Sequence, residues 1–119
     1  MKSHPNELFF YFSPGQSLDK QARAYARSVS KNINEINIQK ERITTTGWRN
    51  ILNKLNLRAK YLLNRAHPDY QALIAGNTWD DESLLHILVN NPHLVKAPIA
   101  IKKGRAVLCT KPQEILKLS

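Results

Sequence analysis

Thiol chemistry has one candidate in this chain, because Cys109 is its only cysteine. A single thiol forms no disulfide within the chain and has no second thiol to resolve a covalent intermediate. Cys109 ends an apolar segment of strand type, where a cysteine usually fills a buried gap as a small apolar side chain. The sequence therefore predicts a buried thiol, and the sparse use of cysteine favours a reducing compartment such as the cytoplasm.

The loop at positions 13–17 reads Ser-Pro-Gly-Gln-Ser and lies between a predicted strand and a predicted helix. Backbone amides at the start of a helix attract anions, so Pro14, Gln16 and Ser17 form a candidate anion-binding loop. The simpler interpretation is a vestigial loop that only caps the helix through Ser17. Neither interpretation gives the loop a thiol nucleophile, because it contains no cysteine.

Metal and phosphate chemistry have little support in the sequence pattern. Histidines stand at positions 4, 67, 86 and 93, and their spacing does not set two ligands on one helix face. The chain has no second cysteine to complete a site, and it shows no glycine-rich phosphate loop and no Ser-His-Asp arrangement. We therefore expect no metal and no cofactor.

The chain is strongly basic, with 18 Lys and Arg against 9 Asp and Glu and a net charge of +9. Such a charge attracts acidic partners over long distances. Four cations fall within about 80° around one predicted helix, and they form a basic stripe: Lys20, Arg23, Arg27 and Lys31. The stripe is either a solvated face or a contact for an acidic protein surface. Nucleic acid is a weaker interpretation, because no aromatic side chains alternate with these charges.

The elements that position these residues begin with a strand at 8–12, which is apolar throughout and therefore predicted to be buried on both faces. A helix follows, and apolar residues at helical spacing predict its buried face: Leu18, Ala22, Tyr25 and Val29. Ile36 and Ile38 alternate with polar residues and predict a second strand. A helix crosses between the two strands, so they should be parallel.

The middle of the chain is predicted to be helical. A helix begins near Thr44, and its apolar residues recur at i, i+3, i+4 and i+7: Trp48, Ile51, Leu52 and Leu55. Two short helices come next, interrupted at Pro68. A further helix is predicted from Thr78, which stands in a capping-box relation to Asp81, and its core-facing residues are Leu84, Leu85 and Leu88.

The final segment predicts a β-hairpin with its turn at Lys103-Gly104. Pro112 opens a last helix, in which apolar residues are expected to cover one sheet face: Ile115, Leu116 and Leu118. A chain of 119 residues can bury one compact core, so we expect a single domain over residues 1–119. No apolar run approaches the roughly 20 residues that span a bilayer, and we expect no membrane partner.

The order of these elements resembles the arsenate reductase family (ArsC and Spx type), which includes the Spx-type transcriptional regulators. The resemblance covers nearly the whole chain and is most specific in four segments: Asp80–Leu85, Asn91–Val95, Pro98–Ile101 and Leu108-Cys109. It implies a thioredoxin-like (glutaredoxin-like) α/β fold, with a mixed sheet of about four strands and a helical insertion. It also implies a cis peptide bond before Pro98, which is uncommon enough to be tested.

The same resemblance implies that the catalytic groups of the family are missing. Arsenate reductases of this type carry a nucleophilic cysteine in the loop after the first strand, where this chain has Gln16. Spx-type members carry a Cys-x-x-Cys pair there. The positions of the oxyanion-binding arginines correspond to Asn64, Ala97 and Lys111, and lysine offers a point charge rather than a planar fork. Asn64-Arg65 resembles a pattern in the insertion of the regulator-like branch.

These comparisons of residues give a set of candidate ligand-binding positions: Asn64, Arg65, Pro98 and Lys111. We expect a cytoplasmic family member that has lost redox catalysis, binds an acidic protein surface and needs no cofactor. One alternative is a glutathione-dependent oxidoreductase that holds glutathione against Pro98 and recruits Cys109. Another is an Spx-like transcriptional regulator. Exposure of Cys109 distinguishes the first alternative from the leading hypothesis, and the oligomeric state stays open.

Overall fold

The computed structural model describes residues 7–14 and 18–119. These residues divide into two compact units, one of residues 7–41 with 97–119 and one of Arg42–Lys96. The predictions that Gln16 binds an anion and that Ser17 caps a helix fall on residues outside the described ranges. They stay predictions, as does the single domain over residues 1–119.

The first unit is an α/β unit built on a mixed sheet. Its described elements are β1 (Leu8–Phe12), α1 (Leu18–Val29), β2 (Ile33–Asn37), β3 (Ile99–Lys102), β4 (Arg105–Leu108) and a C-terminal 3₁₀ helix (Pro112–Leu118). The described strands are ordered β2-β1-β3-β4. The β1–β2 pair is parallel, and the β1–β3 and β3–β4 pairs are antiparallel. The prediction of a mixed sheet of about four strands is confirmed.

Strand β2 begins three residues earlier than the alternation of Ile36 and Ile38 indicates. Ile33 pairs with Leu8 at one end of the ladder, so the register follows the start of β1. Ile38 lies in the turn after the strand, where it is buried and donates its N–H to the carbonyl of Phe12 at 3.0 Å. The alternation therefore predicted a second, parallel strand correctly but placed it too late in the chain, and of its two isoleucines Ile38 is buried and Ile36 is half-buried.

Helix α1 packs on the sheet through alanines, and its predicted buried face is partly wrong. Ala22 and Ala26 are fully buried, whereas Tyr25 is 38% exposed. Alanines four residues apart share one helix face and allow the helix backbone to approach the sheet closely. The resulting core contains residues of β1, α1, β3 and the C-terminal 3₁₀ helix, together with the residue after β4: Leu8, Phe10, Ala22, Ala26, Ala100, Cys109, Ile115 and Leu118.

The C-terminal hairpin matches its prediction closely. Lys103 and Gly104 both have positive φ, 53° and 77°, as a tight two-residue hairpin turn requires. The peptide bond before Pro98 is cis, as the family resemblance implies. In the final helix Ile115 and Leu118 are buried, but Leu116 is 41% exposed, so its predicted place in the core is wrong. A 3₁₀ helix has three residues per turn, which puts residues 115 and 118 on one face.

The second unit is helical. Its described elements are α2 (Thr45–Leu55), α3 (Ala59–Leu62), α4 (Pro68–Leu73), α5 (Asp81–Asn90) and the 3₁₀ turn Pro92–Leu94. Helices α2 and α3 pack against α5. Trp48 is 1% exposed, and the predicted core residues of α5 are buried as well. Thr44 caps α2 by accepting the N–H of Gly47 at 3.1 Å.

The cap of α5 differs from its prediction. Asp80, rather than Thr78, occupies the cap position, and its carboxylate accepts the N–H of Ser83 at 2.8 Å. The side chain of Ser83, and to a smaller extent this backbone hydrogen bond, lowers the pKa of the Asp80 carboxyl. Asp81 and Glu82 follow in the first helical turn, where they form ion pairs with Arg58 and Arg49. The acidic start of α5 is therefore occupied by contacts within the unit.

Candidate functional site

Cys109 lies in the core of the first unit, directly after β4. Its side chain is 1% exposed, and its backbone N–H donates to the carbonyl of Pro98 at 2.9 Å. Burial, with a smaller contribution from the nearby charge of Glu114, raises the pKa of the Cys109 thiol to about 12. The prediction of a buried thiol is confirmed. At neutral pH this thiol carries almost no thiolate, the form that attacks electrophiles.

The end of β1 leads into the loop in which the family resemblance places the nucleophile. Ser13 is 1% exposed, and its hydroxyl accepts a hydrogen bond from the side-chain amide of Gln39. Pro14 is exposed in a turn. The start of the loop is therefore anchored by a neutral hydrogen bond between two polar side chains.

Asp19 is a buried carboxylate in the first turn of α1, and sequence reasoning missed it. The side chain is 7% exposed, and its Oδ1 atom has no hydrogen-bond partner in the described structure. Burial raises the pKa of the Asp19 carboxyl, and the attraction of Arg23 offsets only part of that effect. A carboxylate at this helix end competes with any anion for the favourable end of the helix dipole.

Replacing Asp19 with Asn should stabilise the protein at neutral pH by about 1 kcal/mol, because burying a charged group with an unsatisfied oxygen is costly. The folded-state pKa lies above the ordinary value of 3.8, so the wild type loses stability as the pH rises through the folded-state pKa. The advantage of Asp19→Asn should therefore shrink on going from neutral pH to about pH 4. Chemical denaturation at both pH values measures the difference in unfolding free energy between Asp19→Asn and the wild type. An equal difference at the two pH values would show that the pKa of Asp19 is not raised in the folded state.

The basic stripe is only partly free in the structure. Lys20, Arg27 and Lys31 are exposed, as predicted. Arg23 instead forms an ion pair with Glu35, and its side chain is 25% exposed. The guanidinium of Arg23 also lies over an aromatic ring of β1, 5.1 Å from the centroid of Phe12. Arg23 therefore holds α1 against the sheet, and the remaining three cations are the ones available to a partner.

Asn64 and Arg65, the candidates from the insertion, lie in the second unit. Asn64 is half-buried, and its side-chain oxygen accepts the N–H of Ala66 at 3.1 Å. This contact is a turn-stabilising one, which Asn commonly makes. Arg65 is exposed. The other two candidates, Pro98 and Lys111, lie in the first unit: Pro98 is buried, and Lys111 is exposed at the start of the 3₁₀ helix.

Arg65 lines a depression of about 390 Å³ within the second unit. We call it the basic pocket, and its lining is Lys60, Tyr61, Arg65, Tyr70 and Lys96. The ammonium group of Lys60 lies 4.9 Å from the ring centroid of Tyr61. Three cations and two phenols around one depression suit a carboxylate or another anionic group. Sequence reasoning missed this pocket because its residues come from three separate segments.

The second unit also brings together two histidines that the sequence leaves apart. His93 Nε2 lies 2.8 Å from Asp69 Oδ2, and the rings of His67 and His93 meet edge to face with centroids 5.3 Å apart. One ligand atom from each of these three residues lies within 4.8 Å of the other two. No spacing rule within one helix could have found the cluster, because it joins the start of α4 to the turn after α5.

Comparison with protein families gives the decisive match. The model of the ArsC family matches residues 11–118, which is nearly the whole chain. The chain belongs to the ArsC family. No curated protein matches the sequence.

Solved structures related to this ArsC-family chain agree on the fold. An arsenate reductase from Vibrio cholerae is 17% identical, with a TM-score of 0.86, and the alignment covers 98% of this chain and 100% of that one. A protein from Staphylococcus aureus is 22% identical, with a TM-score of 0.77 and coverage of 94% and 99%. An arsenate reductase-related protein from Brucella melitensis is 19% identical, with a TM-score of 0.71 and coverage of 95% and 94%. These likenesses establish the thioredoxin-like fold.

Among the residues described, no helix combines the length and the apolar character that crossing a bilayer requires.

Proposed function

We propose that this ArsC-family protein has lost redox catalysis and acts in the cytoplasm by binding an acidic protein surface. The observation that carries the first half is the position of Cys109, the one thiol of the chain, which is buried in the core with a strongly raised pKa. A side-chain amide at Gln16 cannot replace a thiolate, because nucleophilic catalysis needs an activated lone pair that can form a covalent intermediate.

Oxyanion binding is weakened by substitution at the positions where the family resemblance places arginines. Asn64 and Ala97 carry no positive charge, and Lys111 offers a point charge without the planar fork of a guanidinium. The Asn64 side chain is used in a local turn, and Ala97 is 6% exposed. A tetrahedral oxyanion therefore meets fewer bidentate donors than in an arginine-bearing relative.

The same observations disfavour the glutathione-dependent alternative. A mixed disulfide with glutathione requires an accessible thiolate on the protein. Cys109 supplies neither accessibility nor thiolate, since burial opposes both. We propose that binding to an acidic surface proceeds without a cofactor.

The binding half of the proposal rests on charge. The net charge is +9, and Lys20, Arg27 and Lys31 are exposed on and just after one helix. The basic pocket in the second unit adds a depression in which an acidic side chain can be held. Acidic protein is favoured over nucleic acid, because Tyr25 is the one aromatic residue within the 20–31 segment, and stacking on nucleic acid uses several.

Reversing two charges of the stripe tests the binding half. Lys20→Glu/Arg27→Glu should weaken binding to a partner captured by the wild type by at least about tenfold at low salt, because like charges then face each other. Arg23 is left in place, since it pairs with Glu35 and contacts Phe12. Calorimetry or surface binding with that one purified partner gives the dissociation constants.

The matched control is Lys40→Glu/Lys54→Glu, which changes the net charge equally at exposed positions outside the stripe. It should leave affinity nearly unchanged, and wild-type binding should weaken as salt screens the charges. Equal losses in the two double variants would show that net charge alone acts. Binding that neither variant nor salt affects would refute the acidic-surface proposal.

A further inference from the structure

The cluster of His67, Asp69 and His93 has the composition of a metal-binding site, and it lies wholly within the second unit. Two imidazoles and one carboxylate are donors that Zn²⁺ accepts readily. Mg²⁺ and Ca²⁺ prefer sites made of oxygen atoms alone, so a set with two nitrogens favours a transition-metal ion. Both histidines are half-buried and Asp69 is exposed, which leaves an open side through which an ion can enter.

The backbone, rather than the side chains, holds the two histidine-bearing segments together. Asn64 donates its N–H to the carbonyl of Leu94 at 2.7 Å, and Lys96 donates to Leu62 at the same distance. An antiparallel bridge joins Leu63 and Val95 between these bonds. His67 and His93 are therefore kept near each other by main-chain bonds that do not depend on any contact between the two rings.

Local structure positions the three ligands in the same way. His67 is the cap residue of α4, and its Nδ1 accepts the N–H of Asp69 at 3.0 Å. Pro68 occupies the first helical position between them and restricts the backbone there. His93 lies in the 3₁₀ turn Pro92–Leu94. Each ligand therefore lies in a short segment whose backbone is already ordered. Metal binding then requires little further ordering of the backbone.

The distances fit an ion after small rotations of the side chains. In a tetrahedral zinc site, two ligand atoms with bonds near 2.1 Å lie about 3.4 Å apart. The His93 Nε2 to Asp69 Oδ2 pair is now at hydrogen-bond distance, 2.8 Å, and all three ligand atoms are within 4.8 Å of one another. Zn²⁺ binding replaces the His93–Asp69 hydrogen bond and the cap bond to His67 Nδ1 with three metal bonds, and it draws the His67 ring inward. The cap bond is lost because a neutral imidazole that binds a metal through one nitrogen carries its proton on the other.

We propose that His67, Asp69 and His93 form a binding site for a divalent transition-metal ion, with Zn²⁺ as the ion best suited to the ligands. The spacing of the histidines predicted no metal site because it sets no two ligands on one helix face. The ligands of this site instead come from two segments of the chain. Three protein ligands leave a fourth position of the ion to water or to a group from a partner. The proposal does not depend on the loss of redox catalysis.

Calorimetric titration of the tag-free, EDTA-treated protein with Zn²⁺ tests the site. The wild type should bind one ion per chain. His67→Asn keeps a hydrogen-bond acceptor that caps α4, and His93→Gln keeps a hydrogen-bond donor toward Asp69. Each variant loses one imidazole ligand, so each should weaken Zn²⁺ binding by more than about tenfold. The control is His86→Ala, because His86 lies on α5 with Glu82, 4.0 Å away, as an ordinary surface pair.

A measurement on the wild type alone removes any dependence on the folding of the variants. In long-range ¹H–¹⁵N spectra, Zn²⁺ should shift the ring nitrogens of His67 and His93 and leave those of His86 unchanged. Absence of saturable binding would overturn the proposal. So would equal weakening in His86→Ala, or ring shifts confined to His86 or His4.

Discussion

Native Cys109 should react with the thiol reagent DTNB at least about a thousandfold more slowly than the same thiol in the unfolded chain. Burial raises the pKa of this thiol from 9.0 to about 12, and a shift of that size lowers the thiolate fraction at neutral pH by about a thousandfold. The side chain is also 1% exposed, so the reagent cannot reach the sulfur without an opening of the core. The absorbance of the coloured thiol that DTNB releases measures the reaction rate.

The comparison is made in buffer and in guanidinium chloride at one pH, with Cys109→Ser as the blank. Since the chain has one cysteine, the whole signal belongs to Cys109. A native rate close to the unfolded rate would mean that the thiol is exposed. That result would restore the oxidoreductase alternative, in which Cys109 takes the place of the missing nucleophile.

Gln16→Cys should leave arsenate turnover at least about a hundredfold below that of an active arsenate reductase of the family. Loss of a single oxyanion donor commonly lowers kcat by roughly 10²–10³-fold. A new thiol does not replace the two arginines that are missing where this chain has Asn64 and Ala97. Turnover is measured with glutathione and glutaredoxin as the reducing system. The control is Gln16→Ser, which introduces a weak nucleophile at the same position.

Turnover of Gln16→Cys close to that of the active relative would show that the missing arginines are not needed here. The correspondence of Asn64 and Ala97 to the family's oxyanion-binding positions would then be wrong. Thiol titration of the variant first establishes that the new cysteine is reduced and accessible.

Much of the fold follows from local signals in the sequence. The apolar run of β1, the turn at Lys103-Gly104 and the helical period through Trp48 each come from one continuous segment, and each predicts its element correctly. The predicted burial of β1 on both faces holds fully for Leu8 and Phe10, whereas the other three residues of the strand are half-buried. In such segments burial pattern and backbone preference agree, so no distant contact is needed to choose between structures.

The misplaced details depend on contacts between distant segments. The alternation of isoleucines predicted β2 but placed its start too late, because β2 begins at Ile33, which pairs with Leu8 of β1. The helical spacing of apolar residues predicted that Tyr25 is buried. In the structure the small side chain of Ala26 is buried instead, and Tyr25 is exposed. Thr78 and Asp80 are both residue types that cap helices. Because α5 begins at Asp81, the cap position falls on Asp80.

The candidate sites show the same division. Burial of Cys109 was predictable, because the apolar residues before it in sequence indicate a strand and a cysteine at a strand end usually fills a buried gap. The basic pocket and the histidine cluster were not, since their residues are distant in sequence and are joined by the backbone bonds between the 62–64 and 94–96 segments. The ion pair of Arg23 also required the structure, because Arg23 lies on α1 and its partner Glu35 lies on β2.

Arsenate turnover by the wild-type protein tests the central claim most directly. The purified chain is assayed with arsenate, glutathione and glutaredoxin, beside Cys109→Ser and a sample without protein. We predict rates equal to the sample without protein for both chains, because the one thiol is buried and Gln16 supplies no nucleophile. Wild-type turnover above that background, abolished in Cys109→Ser, would contradict the account.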